Sequence, residues 1–355
     1  MKNYVELDKN LTVEKINDEE FKFYPYTKFK LEGFPWYEKD KKLYRLPVDL
    51  MSKLRESLVS LAKSSAGGCI RFKTNTKKLA LKVTYEKRRI SPGMPQVSDA
   101  GFDLYIKENG NWVFSDMFRP NIEDDILDMT RELPDDGKER EYALYFPLYS
   151  CPGTIELGFE PDASVNTEVG SRKIEKPILF YGSSITNGAC VAKASGTYSA
   201  TIARKLDAPL INMGFSGNAK GEPELAEAIA DIDLAMFISE FDHNAATPEE
   251  LEGLHENFIR IIRAKHPDMP IIIMSRPFFV ERNREKTEAM MKVVKGTYQK
   301  LVDEGDTNVY FISGMDIFDM EDRYDYCIDG THPTELGNRI MAEKILELIK
   351  NNNIF

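Results

Sequence analysis

The sequence predicts two units of different class, a β-sandwich over residues 1–172 followed by a three-layer α/β/α domain with a five-stranded parallel sheet over residues 173–355. Three observations lead there. The first half consists of short runs that alternate in polarity at period two, with few helical patterns, as expected of strands packed sheet on sheet. The second half switches to apolar runs of four or five residues separated by helical stretches, the alternation that parallel βαβ units produce. Between them, from about Pro161 to Lys176, the apolar pattern lapses into small and charged residues, and the domain boundary is placed there. At 355 residues the chain also exceeds one typical domain.

In the first unit, Cys69–Thr74 and Leu79–Tyr85 alternate at period two around a turn-like Asn75-Thr76-Lys77-Lys78, and read as adjacent strands. Asn109-Gly110-Asn111 between Phe102–Ile106 and Trp112–Phe114 signals a hairpin, because Asn-Gly tolerates the positive φ of a tight turn. Glu141–Leu148 and Thr154–Phe159 add two strands, while the acidic segment from Glu123 to Glu139 reads as a solvated loop. Trp36, Tyr37, Tyr44 and Trp112 are expected in the sandwich core.

In the second unit the strands are Ile178–Tyr181, Leu210–Met213, Leu234–Ile238, Ile271–Met274 and Val309–Ile312. Tyr198, Ile202 and Leu206 form a helical stripe at i, i+4, i+8. Thr247-Pro248-Glu249-Glu250 is a capping box with proline at the first helical position, leading into Leu251, Leu254, Phe258 and Ile261. Met341, Ile345 and Leu348 repeat the spacing in the last helix.

Composition narrows the function. With 47 basic and 58 acidic side chains the net charge is −11, and no basic block is present, so a nucleic-acid partner is disfavoured. Apolar runs are broken by charge well short of the roughly 20 residues of a membrane span. Met1 to Asp8 carries charge where a secretory signal needs an apolar core, so the expected location is cytoplasmic. Cys69, Cys151, Cys190 and Cys327 lack Cys-x-x-Cys spacing and read as free thiols, and no metal or cofactor is called for.

The chemistry centres on Pro177-Ile178-Leu179-Phe180-Tyr181-Gly182-Ser183-Ser184, a buried strand that delivers a serine to the edge where parallel sheets present their functional loops. A hydrolytic serine needs a base, a group to orient the base, and donors for an oxyanion. Asp329-Gly330-Thr331-His332-Pro333 sets a carboxylate three residues before an imidazole, close enough to hold its tautomer, on what reads as a short loop after the last strand. Gly217 in Asn212-Met213-Gly214-Phe215-Ser216-Gly217 can offer an unobstructed N–H, and an asparagine amide after the third strand another donor. His243 reads as a loop histidine, His255 as part of a packed helix face, and His266 as the C-terminal end of a helix.

These residues resemble the SGNH (GDSL-type) hydrolase superfamily over roughly Pro177 to Phe355. Gly182-Ser183-Ser184-Ile185-Thr186 is similar to its first block, Asn212–Gly217 to its second and Asp329–Pro333 to its fifth. The resemblance implies a flavodoxin-like three-layer domain with Ser184, Asp329 and His332 as catalytic residues, and the N–H groups of Ser184 and Gly217 with the Asn244 amide as the oxyanion hole. Two departures stand out. Ser183 occupies the place of the usual acid before the nucleophile, and Glu240-Phe241-Asp242-His243-Asn244 replaces the usual Gly-x-Asn-Asp third block. Gly101-Phe102-Asp103-Leu104-Tyr105 is similar to the Gly-x-Asp-Leu-Tyr signature of a jelly-roll-like β-domain found ahead of some such hydrolases, so the resemblance covers the whole chain. It implies a serine esterase acting on a small-molecule or oligosaccharide ester, with removal of acetyl from a carbohydrate as the leading expectation. A lipase- or thioesterase-like acylhydrolase, or a carbohydrate-binding protein without activity, are the alternatives.

Overall fold

The computed structural model describes residues 16–120, 125–319 and 321–355. Ten strands build the first unit: β1 (Lys22–Pro25), β2 (Lys30–Glu32), β3 (Cys69–Thr74), β4 (Lys78–Lys87), β5 (Phe102–Glu108), β6 (Asn111–Phe118), β7 (Ile126–Glu132), β8 (Arg140–Tyr145), β9 (Cys151–Phe159) and β10 (Val165–Asn166). They form two antiparallel sheets, β1-β9-β4-β7 and β10-β3-β8-β5-β6, with β2 added beside β3. Period-two alternation turns one face of each sheet inward: Leu79, Leu81 and Val83 of β4 and Ile155, Leu157 and Phe159 of β9 meet Ile70 and Phe72 of β3 and Phe102, Leu104 and Ile106 of β5 in one core. The Asn109-Gly110 hairpin forms as expected, with φ of 49° and 80° at the two turn residues.

Two expectations fail here. β3 and β4 are not neighbours: β3 pairs with β8 and β4 with β7 and β9. The turn between them crosses from one sheet to the other, held by Glu160, whose Oε2 accepts from Thr76 Oγ1 at 3.1 Å and from Lys77 N–H at 2.6 Å. The acidic segment is also more than a loop. Residues 126–132 form β7, whose Leu127 and Met129 enter the core while its charged residues face outward, and Glu123 and Asp124 lie outside the described residues. The segment from Met1 to Asp8 lies outside them too.

The second unit carries β11 (Ile178–Gly182), β12 (Leu210–Gly214), β13 (Met236–Glu240), β14 (Ile271–Met274) and β15 (Val309–Ile312), all parallel, in the order β12-β11-β13-β14-β15. Its helices are α1 (Ser184–Asn187), α2 (Tyr198–Leu206), α3 (Pro223–Ala230), α4 (Pro248–Lys265), α5 (Arg284–Asp303) and α6 (Glu335–Asn351). Leu179, Tyr181, Ile211 and Ile273 meet α3, α4 and α5 on one face, and Ile178, Phe180, Ile238 and Ile272 meet α2 and α6 on the other. Buried-strand runs thus feed two cores at once, which is why they do not alternate in polarity. Threonine hydroxyls at Thr197, Thr247 and Thr334 cap α2, α4 and α6. β13 lies two residues further on than expected, because Ser239 and Glu240 are polar yet fully buried.

The two units share a core. Leu46, Leu58, Leu61, Ala62, Leu148 and Tyr149 of the first pack with Ile211, Met213 and Phe215 of the second. Asp103 and Tyr105 of the Gly-x-Asp-Leu-Tyr stretch reach Ser195, its N–H donating to Asp103 Oδ2 at 2.7 Å and its hydroxyl lying 3.1 Å from Tyr105 Oη. Leu104 enters the sandwich core, and Gly101 leaves no room for a Cβ, which would sit 2.5 Å from Val97 O and 2.6 Å from Phe118 O. A buried ion network adds to the seam: Arg172 bridges Glu32 at 2.6 Å and Asp207 at 3.3 Å. Of the four aromatics expected in the sandwich, Tyr37 packs on it, whereas Trp36 and Tyr44 pack on the core that the two units share. Trp112 donates from Nε1 to Asp207 at 3.0 Å. Among the described residues no helix is long and apolar enough to cross a membrane.

Close approach excludes a side chain at Gly214. A Cβ on Gly214 would lie 2.0 Å from the backbone N of Asn187, whereas one on Gly253, within α4, would meet nothing within 4 Å. Gly214→Ala is expected to destabilise by about 3 kcal/mol or more, since backbone must move. Gly253→Ala should stabilise by about 0.5–1 kcal/mol by removing chain entropy from the unfolded state. Urea unfolding of both variants measures this.

Candidate active site

Ser184 follows the end of β11 as the first residue of α1. Ser183 is the N-cap, its Oγ accepting from Ile185 N–H at 3.0 Å, and Gly188 closes the single turn at φ 102°. The Ser184 side chain is half-buried, and its Oγ lies 2.7 Å from His332 Nε2. His332 Nδ1 lies 2.7 Å from Asp329 Oδ2, and Asp329 Oδ1 accepts from the N–H of Thr331 at 2.9 Å and of His332 at 2.8 Å. Burial would raise the Asp329 pKa, but the His332 ring and these N–H donors outweigh it and hold the carboxyl below its usual value. A carboxylate accepting at Nδ1 leaves Nε2 as the nitrogen facing the serine.

The loop carrying this pair is not the short one expected. Residues 313–334 connect β15 to α6 through two 3-10 turns and then a hairpin-like bend, with Cys327 bridged to Pro333 and Ile328 N–H donating to His332 O at 3.0 Å. Cys327 Sγ accepts from Gly330 N–H at 2.8 Å, so this thiol shapes the bend. Arg276, just past β14, holds it from the side, donating to Thr331 Oγ1 at 3.1 Å and Gly330 O at 3.4 Å.

Gly217 sits at the exposed tip of a turn after β12, at φ 66°. Among the described residues neither its N–H nor that of Ser184 has a hydrogen-bond partner. Asn244 ends the 3-10 turn Asp242–Asn244 with its amide against that same loop; the amide orientation that satisfies both of its ends turns the oxygen to Ala219 N–H at 3.0 Å and Asn218 N–H at 3.3 Å. The structure therefore brings together Ser184, His332 and Asp329 directly, with Asn244 joined to the turn that carries Gly217.

Sequence reasoning missed Glu240. Its Oε2 accepts from Ser183 Oγ at 2.8 Å and Thr186 Oγ1 at 3.2 Å, and the whole residue is buried. Parallel register sets Glu240 beside Gly182, so a polar residue ending an apolar run was the available signal. His243 follows, its Nδ1 3.2 Å from Glu240 Oε1 and 3.4 Å from Asp242 Oδ1. Burial would lower its pKa, but these two carboxyl groups raise it to about 9, so it is a charged, buried ring rather than a plain loop histidine. His255 is buried, stacks on Phe241 and pairs with Thr297 Oγ1 at 2.9 Å, as a packed-face residue should. His266 caps α4 and lies 2.9 Å from Ala230 O.

Two clusters among the described residues could offer three metal ligands each, Cys190-Asp329-His332 and Glu240-Asp242-His243. Both are already engaged internally: Asp329 with His332, Glu240 with Ser183 and Thr186, and Asp242 Oδ2 with Arg276 N–H at 2.9 Å.

Comparison with known proteins follows the same division. Residues 175–350 match the GDSL-like Lipase/Acylhydrolase family, and residues 21–165 match GxDLY, the N-terminus of Esterase_SGNH_hydro-type. Over these stretches the chain belongs to the SGNH (GDSL-type) hydrolase superfamily. A protein described as a GDSL-like lipase from Bacteroides ovatus is 29% identical, with a TM-score of 0.83 over 94% of this chain and 98% of its own. The salicylyl-acyltransferase SsfX3 from a tetracycline biosynthetic pathway is 18% identical, with a TM-score of 0.77 over 96% and 99%. A family two carbohydrate esterase from Clostridium thermocellum, solved with cellohexaose, is 15% identical, with a TM-score of 0.58 over 81% and 92%. The last two show likeness of fold. No curated protein sequence matches the chain.

Within this GDSL-type acylhydrolase family the unusual Ser183 has a physical counterpart. Its small hydroxyl leaves room for the Glu240 carboxyl, which reaches the start of α1 from the adjacent strand. Glu240→Ala would strand two buried hydroxyls, and a loss of about 3 kcal/mol in urea unfolding is expected. Glu240→Gln keeps an acceptor oxygen and should lose less.

The His243 shift predicts a pH dependence. A base raised from 6.5 to about 9 stabilises the fold fully below pH 6.5, and that contribution is lost as pH rises through about 9. Between pH 6.5 and 9.5 the wild type should therefore lose more thermal stability than His243→Gln, as read by Tm across that range.

Proposed function

We propose that the protein is a serine esterase that removes acetyl groups from a carbohydrate through an acyl-enzyme on Ser184. The observation that carries this reading is the continuous line from Ser184 Oγ through His332 to Asp329, with both links at 2.7 Å. In the proposed sequence Ser184 Oγ attacks the ester carbonyl carbon while His332 Nε2 takes its proton. The tetrahedral oxyanion is met by the N–H groups of Ser184 and Gly217 and by the Asn244 amide. Collapse breaks the bond to the sugar oxygen, which leaves with the proton from His332. Water then repeats the cycle, giving up a proton to His332, and acetate departs with Ser184 restored.

The carbohydrate part of the reading draws on the fold shared with the family two carbohydrate esterase solved with cellohexaose. An acetyl xylan esterase from Butyrivibrio proteoclasticus, 14% identical with a TM-score of 0.52 over 82% of this chain, has the same fold. The proposed substrate is an acetylated oligosaccharide. We also propose 1–172 and 173–355 as the two units, with Arg172 at the seam pinned to Glu32 and Asp207.

Ser184→Ala is expected to lower kcat on an aryl acetate by about 10⁴-fold or more, and Asn244→Ala by about 10²-fold. Acetate release from a panel of acetylated oligosaccharides, with Ser184→Ala as control, tests the substrate. Faster cleavage of long acyl chains than of acetyl would instead favour a lipase- or thioesterase-like acylhydrolase. Full turnover by Ser184→Ala would sink the mechanism.

A further inference from the structure

We propose that the N-terminal unit is a working part of the catalytic site, with Tyr149, Arg55 and Arg45 positioning the Phe215–Asn218 turn and so the Gly217 N–H. This rests on the reading of Gly217 as an oxyanion donor.

The turn closes on itself through Asn218 N–H and Ala219 N–H, which donate to Phe215 O at 2.8 and 3.1 Å, and through Asn218 Nδ2, which donates to Ser216 O at 2.9 Å. Its tip is not packed: Gly217 is exposed, stands at φ 66°, and a Cβ there would meet nothing within 4 Å. Further braces come from both sides. From the second unit, Asn244 accepts from Ala219 and Asn218, and Phe215 N–H donates to Gly182 O at 2.8 Å. From the first unit, Tyr149 Oη lies 2.7 Å from Ser216 Oγ, immediately before Gly217. Immediately after it, Arg55 donates to Asn218 O at 2.9 Å and to Asn218 Oδ1 at 3.0 Å, and Ser57 Oγ donates to the same Oδ1 at 2.6 Å. Arg55 is itself steadied by Glu222, four residues past Asn218 at the N-cap of α3.

Arg45 holds the stem. It donates to Gly214 O at 2.6 Å and Asn212 O at 3.2 Å, and its guanidinium lies 4.7 Å from the Phe215 ring centroid. The same group donates to Asn187 Oδ1 at 3.0 Å, in the last residue of the helix that Ser184 begins. Arg45 is 1% exposed and has no carboxylate partner among the described residues; Leu61 O, Ser64 O and Ser64 Oγ supply its other acceptors. Burial pushes its pKa down to about 9. An unpaired buried cation is expensive, and an apolar side chain of similar volume would serve packing alone better. What a guanidinium adds is a rigid set of donors that ties the stem of the oxyanion turn to the nucleophile helix. Because a donor misplaced by about 1 Å can lose about 10²-fold in rate, such bracing acts on the transition state.

The test uses the full chain. Arg45 is too buried for a clean substitution, so Tyr149→Phe and Arg55→Ala, which each remove one brace, are combined. The double variant is expected to lower kcat on an aryl acetate by about tenfold or more with KM within about twofold. Affinity for an aryl boronic acid, which forms a tetrahedral adduct on the serine, should fall in parallel, while Tm shifts by only a few degrees. Unchanged kcat and boronate affinity in the double variant would overturn the proposal. Asn244→Ala with undiminished kcat, or Ser184→Ala with full turnover, would instead overturn the oxyanion reading beneath it, and the proposal with it.

Discussion

Parallel register of β11 between β12 and β13 sets Gly182 level with Gly214 on one side and Glu240 on the other. Ser184, Gly217 and Asn244 are all placed relative to that row. One residue past Gly182 is Ser183, the N-cap, after which Ser184 begins α1; one residue past Gly214 begins the Gly217 turn; one residue past Glu240 begins the turn that ends in Asn244. Backbone hydrogen bonds tie the three exits together, Ser183 N–H to Glu240 O at 3.0 Å and Phe215 N–H to Gly182 O at 2.8 Å. Glycine at Gly182 and Gly214 is required for this closeness, since a Cβ at either would lie within 2.4 Å of the neighbouring segment.

That crowding confines the polar groups buried beneath the site. Glu240 is sealed from solvent; Ser183 and Thr186, at the start of α1, both donate to its Oε2, and its Oε1 faces His243 Nδ1 at 3.2 Å. His243 adds a positive charge on the far side of the same carboxyl group. The outcome is a Ser184 turn held by a residue from the adjacent strand. Arg45 plays the corresponding part under β12, with carbonyl oxygens in place of a carboxylate.

The seam between the units makes the first one more than an appendage. Asp103 and Tyr105 meet Ser195, which precedes α2, while Arg172, Trp112 and Lys107 converge on Asp207, which follows it. The two ends of α2 are thereby fastened to the sandwich. Burial drives Asp103 up to about 6 despite the Ser195 N–H it accepts, which marks how completely this contact excludes water.

Local pattern was sufficient for much of this. Unbroken apolar runs such as Ile178–Tyr181 and Ile271–Met274 announced strands covered on both faces, the Asn109-Gly110 hairpin followed from φ preferences, and the Thr247 cap from its hydroxyl. Ser184, Asp329 and His332 were legible because their spacing and neighbours repeat a known family pattern. What pattern could not reach was pairing at a distance. Strands β3 and β4 alternate alike whether they share a sheet or face each other across a core, and β7 was hidden by acidic residues that point to solvent. Glu240 and Arg45 were invisible for the same reason: a charged residue reads as exposed until the fold shows what surrounds it. By itself the sequence determined the two fold classes and singled out the candidate side chains Ser184, Asp329 and His332, which depend on periodicity and residue chemistry. Tertiary structure alone decided what holds them in place, because a buried polar group takes its meaning from partners more than fifty residues away along the chain.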